Sequence, residues 1–133
     1  MLIAVADYRQ ANCGRTAARL YQERYGGETS QVCFLGHWGF QYYMQQWGAK
    51  AFDRTNPKVA PGEIIVGPFS DPNVAQVLVE KVLRRDELAF NTLPFLSTSA
   101  LGTGASFYSS FGGPLPWVIN KIPPERYFAV KTR

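Results

Sequence analysis

The chain has 133 residues, 46% of them hydrophobic and 18% charged, with a net charge of +4. That is the length and composition of one folded domain, and it excludes a disordered chain. Two cysteines and one histidine exclude a Cys/His zinc cage and a disulfide-dense scaffold; no motif points to another metal or cofactor, and none is expected.

Met1 to Ala6 is apolar and stops at Asp7. It is too short to span a bilayer, which takes roughly 20 residues, and no cleavage site follows it. It reads either as a short strand or buried helix start, or as the end of a longer apolar helix. Asp7 to Tyr25 reads as a helix, with Asp7 as its cap or first turn and Gly26-Gly27 as its stop. Tyr8, Ala11, Ala18, Tyr21 and Tyr25 recur at helical steps and predict its packing face, with Arg9, Arg15, Arg19 and Arg24 on the solvated side.

Gln31 to Leu35 is a short buried strand, broken by Gly36-His37-Trp38-Gly39. Phe40 to Trp47 reads as a helix ended by Gly48. Its aromatic residues form a core stripe that runs nearly all round it, which suits packing on two sides or a surface facing a partner or a membrane interface. Asp53 to Gly62 is a loop, and Glu63 to Val66 a second buried strand closed by Gly67-Pro68.

Asp71-Pro72 is a helix start, Asp as N-cap and Pro in the first turn. Val74, Val77, Leu78 and Val82 form its stripe, with Arg84 and Arg85 at its C-terminal end. Leu88 to Leu96 reads as extended, Ser97 to Pro116 as loop, and Tyr127 to Lys131 as a last strand that can pair in either direction. The order of elements predicts an α/β fold: a single small domain, in two or three layers, around a central, mostly parallel sheet of about four strands.

Candidate site residues cluster in two places. His37, the only histidine, lies between a strand end and a helix start, where α/β sheets bind ligands. Gly36 and Gly39 let a ligand approach the backbone, and the following helix start suits an anion. A structural histidine packed beside Trp38 is the alternative. The second place is the Gly/Pro-rich segment Phe107 to Trp117, with Tyr108, Pro114 and Trp117, read as a structural turn or a functional loop. Cys13 and Cys33 read as buried free thiols, and a disulfide is open only in an oxidising compartment. Asp7, Asp53, Asp71 and Asp86 each have a capping or loop explanation, so no catalytic residue is assigned. The basic residues, nowhere longer in a run than Arg84-Arg85, do not cluster with the aromatics, and nucleic acid is not an expected partner.

The run from Val32 to Met44, with Gly36-His37-Trp38-Gly39-Phe40-Gln41-Tyr42-Tyr43 at its centre, resembles a segment near the C-terminus of bacterial membrane glycosyltransferases. These are the dolichyl-phosphate-mannose–protein mannosyltransferase-like proteins. Ala6 to Arg9 with Ala11-Asn12 and Arg15, Pro61-Gly62-Glu63, Phe107-Tyr108 and Gly113 to Trp117 are similar in the same order, so the likeness covers nearly the whole chain. The resemblance implies that residues 1–6 end a transmembrane helix and that 7–133 form an extracytoplasmic domain, tethered at the bacterial inner membrane. It implies sugar transfer from a polyprenyl-phosphate donor by acidic residues in loops outside this chain. The domain itself is then an inactive accessory to the membrane part of its parent. It would contact a lipid-linked sugar or acceptor through His37, Trp38 and the Pro114 loop. The competing expectations are a free-standing α/β module that binds a carbohydrate or protein, and a small soluble enzyme using His37.

Overall fold

A computed structural model describes residues 1–36, 38–53, 55–56, 58–70, 82–100, 102–106 and 113–133, Trp38 by its backbone alone. The helix start proposed at Asp71-Pro72, with Val74, Val77 and Leu78, lies outside the described residues, as do His37, Phe107, Tyr108 and Phe111.

The first helix, α1, runs Leu2–Tyr25. Asp7 is therefore not its cap but an interior residue, and its carboxylate accepts a hydrogen bond from Thr98 Oγ1 (3.1 Å). A short 3-10 turn, Gly26–Gln31, leads into β1, Val32–Phe34. Helix α2 is Trp38–Trp47, ending where Gly48 takes a left-handed φ of 93°. Then come β2, Lys50–Ala51, and β3, Ile64–Pro68. Strand β4 is Val82–Phe90, so Val82, Arg84 and Arg85 lie in a strand rather than at a helix end. Four two-residue strands follow: β5 Leu96–Ser97, β6 Ser99–Ala100, β7 Ala105–Ser106 and β8 Val118–Ile119. Strand β9, Glu125–Thr132, closes the fold.

The fold is α/β around a five-stranded mixed sheet, in the order β2-β1-β3-β9-β4. Strand β1 pairs in parallel with β2 and β3, and β9 pairs antiparallel with both β3 and β4. Strands β1 to β4 therefore share one direction, and the last strand is inserted between β3 and β4 against it. Strand β4 is an outer strand, and its run Arg84-Arg85-Asp86-Glu87 places charge on an edge that would otherwise invite further pairing.

Alternation along the strands separates two apolar faces. Val32, Phe34, Ile64, Val66, Tyr127 and Ala129 pack with Cys13, Ala17, Ala18 and Tyr21 of α1 and with Phe40 and Met44 of α2. Leu35, Ile65, Phe128 and Val130 face the other way, against Phe52, Val59, Phe69 and Val82. Each fully buried side chain of this kind contributes about 1.5–3 kcal/mol.

The packing face of α1 holds Ala18, Tyr21 and the half-buried Tyr25 as expected but differs from the expected one toward its N-terminal half. Tyr8 is 68% exposed and Ala11 is also exposed, while Ala6, Cys13, Gly14, Ala17, Ala18 and Tyr21 are buried. The cause is the crossing with α2: a Cβ on Gly14 would lie 3.3 Å from the Phe40 backbone nitrogen. Close approach of two helices selects small residues, which a count of bulky ones overlooks. The arginines 9, 15, 19 and 24 are exposed as expected.

Candidate functional site

The described site candidates do not form one cluster. Gly36 follows β1 with φ 118°, and a Cβ there would meet Pro68 Cδ at 3.0 Å and Phe40 Cδ1 at 3.1 Å. Its glycine is thus required by packing; the space beside it is filled. Gly39 lies exposed in the first turn of α2, with open space where a Cβ would project. Phe40 meets α1 at Gly14.

Pro114 and Trp117 lie elsewhere, beside the short strands. Leu115 exchanges backbone hydrogen bonds with Gly104 and Ser106. The β5–β8 ribbon packs on α1 through Leu96 and Leu93 against Ala6. Eight residues of helix, about 12 Å of rise, separate Ala6 from Gly14. The two predicted clusters therefore approach the same helix at different turns.

Between them lies a residue that the sequence reading passed over. Glu125, the first residue of β9, is only 9% exposed and faces α1. Gln10 Nε2 donates to its Oε2 (3.0 Å) and Ser70 Oγ to its Oε1 (2.8 Å). Burial raises its pKa above the ordinary carboxylate value, and the two hydrogen bonds offset part of that rise. A lone Glu near Pro123-Pro124 carries no motif; only the register Phe90↔Glu125 brings it under α1.

Both thiols are buried and hydrogen-bonded. Cys13 donates to the Arg9 carbonyl (3.2 Å), and burial, with the Glu125 charge adding to it, pushes its pKa to about 11. Cys33 donates to Glu63 Oε1 (3.1 Å), and burial followed by that hydrogen bond pushes it to about 12. Both are free. Cys13 belongs to the helix side of the sheet and Cys33 alternates to the opposite side, so the sheet separates them. Asp86, read from sequence as a cap or loop residue, is instead a strand residue. It accepts from Tyr25 Oη (2.8 Å), with Arg24 at 3.6 Å and Arg84 at 3.3 Å. Among the described residues no three His, Cys, Asp or Glu side chains are placed to hold a metal ion.

An open groove of about 570 Å³ lies between α1 and α2. Arg15 and Arg19 line it from α1, and Tyr43, Gln46 and Trp47 from α2. The aromatic helix thus divides its work: Phe40 and Met44 are buried, Tyr43 and Trp47 are half-buried against the core, and Tyr42 is 58% exposed. No protein-family model, curated protein or solved structure matches the chain.

Proposed function

We propose that this chain is a noncatalytic accessory domain of a polyprenyl-phosphate-dependent membrane glycosyltransferase, held against the outer face of the bacterial inner membrane. The observation that carries this reading is an apolar end on the domain. Met1, Leu2, Ile3 and Val5 are 104%, 59%, 42% and 38% exposed, on a helix that continues unbroken into the core. Ribbon residues Leu96 and Thr98 face α1 at Ala6 and Asp7. The pairing Leu96↔Ile119 puts Ile119, 71% exposed, on that same face, with Trp117, 43% exposed, two residues before it. Exposed Leu, Ile and Trp gathered at one end suit a lipid interface better than water. No helix among the described residues is long and apolar enough to cross a membrane, so the reading requires an anchor contributed by the parent protein.

Among the described residues, both buried thiols and the buried carboxylate of Glu125 are held in hydrogen bonds. Burial raises the pKa of both thiols, and each donates a hydrogen bond. Glu125 has its two oxygens occupied by Gln10 and Ser70.

An antibody against the domain, used on membrane and soluble fractions of the source cells, tests the assignment. The expected result is a membrane-bound band several times larger than 14.9 kDa, cleaved by protease added to spheroplasts. A soluble band at the chain's own mass would reject it and put the free-standing binding module first.

A further inference from the structure

We propose that the groove between α1 and α2 is a binding site for an anionic saccharide, a sugar bearing a phosphate or a carboxylate. The site needs neither the membrane nor the glycosyltransferase reading; it rests on the side chains that the helix crossing brings together.

On α1, Asn12, Arg15 and Arg19 fall at three- and four-residue steps and so share one face of the helix. They line the groove opposite Tyr43, Gln46 and Trp47 of α2. The volume of about 570 Å³ lies within the range of sites for small ligands. The buried Ala18 also lines it, so the small residues that let the helices pack leave room beside the crossing.

The chemistry of these walls is specific. Two guanidinium groups supply forked donors, which match the oxygens of a phosphate or carboxylate. Among the described residues no carboxylate lines the groove to compete for them. Arg19 has Glu23 at 3.8 Å, but that pair is 69% and 63% exposed and so is weak. Arg15 is already placed: its guanidinium carbon stands 5.9 Å from the Tyr43 ring centroid, which holds the charge on the α2 side. The carboxamides of Asn12 and Gln46 offer both donors and acceptors, the complement of sugar hydroxyls. Tyr43 and Trp47 pack partly on the core and turn the rest of their rings to the groove. Fixed rings of this kind accept the C–H face of a pyranose at little entropic cost. A bare anion would use the arginines alone and a neutral sugar the rings and amides alone. An acidic sugar uses all three.

The test is calorimetric titration of the 133-residue chain with glucose 1-phosphate, glucuronate, glucose and inorganic phosphate. We expect a dissociation constant below about 1 mM for at least one of the two acidic sugars, with glucose and inorganic phosphate each at least about tenfold weaker. Arg15→Gln and Arg19→Gln, both at exposed positions, should each weaken that binding about tenfold while leaving the circular dichroism spectrum unchanged. Preference for glucose 1-phosphate names a glycosyl phosphate as the ligand class, and preference for glucuronate names an acidic glycan. Failure of both acidic sugars to bind, equal binding of glucose or inorganic phosphate, or unchanged affinity in both folded variants would overturn the proposal. A soluble location of the native protein would leave it standing.

Discussion

Tyr21 offers a direct test of how this core is held together. Its side chain is wholly buried, and its hydroxyl has no hydrogen-bond partner among the described residues. Burial drives its pKa far above the ordinary tyrosine value, as expected for a phenol denied water. An unsatisfied buried hydroxyl costs about 1–3 kcal/mol relative to the unfolded state, where water satisfies it. Tyr21→Phe removes that cost and keeps the ring, including its stacking on Tyr25 at 6.2 Å between centroids. The loss is the dispersion contact of one oxygen, a few atom pairs at about 0.1–0.2 kcal/mol each. The first effect is larger. The variant should be more stable by about 1–2 kcal/mol, which for a domain of this size raises Tm by about 3–6 °C. Urea unfolding followed by tryptophan fluorescence measures it, and the slope against denaturant should not change. A variant of equal or lower stability with the same slope would refute the reasoning, because it would mean that the hydroxyl is satisfied in the native protein.

Two further outcomes follow from the same interior. Glu125 keeps its proton to higher pH when folded than when unfolded, so its contribution to stability is complete below the unfolded value, near 4.3, and is lost as pH rises through the folded one. Glu125→Gln removes that loss, and urea midpoints should show the variant gaining on the wild type between pH 4 and the raised value; a pH-independent difference between the two would contradict the assignment. Cys13 and Cys33, with pKa values pushed to about 11 and about 12, should react with a thiol reagent at pH 8 only as the chain unfolds, both together on addition of urea. Rapid labelling of either in the native protein would show that its burial is overstated.

Some of this fold was legible one residue at a time. Val32–Phe34 and Ile64–Pro68 are runs of apolar residues ended by glycine or proline, and a short, fully buried strand has that appearance whatever surrounds it. Helix α2 was equally plain, because Gly48 supplies the left-handed residue at which it stops. Strand β4 was not, because Val82, Arg84 and Arg85 fit the end of a helical stripe as well as they fit an edge strand. Their pairing with β9, more than 35 residues later, decides it. The start of α1 misled in a similar way: Asp7 has the chemistry of a cap, yet its carboxylate is spent on Thr98, 91 residues away.

What the sequence by itself determined was the class and the periodicity: one α/β domain, two buried strands, an amphipathic first helix with its arginines in water. Those properties follow from residues close together in the chain. Tertiary structure decided the rest. It turned β9 against its neighbours, chose Gly14 and Ala17 over Tyr8 and Ala11 on the contact face of α1, and left a groove where Arg15 and Tyr43 meet. It also placed Glu125 beneath Gln10, across 115 residues. These are choices between faces and partners of comparable local preference, and only the packing of distant segments supplies the free energy that separates them.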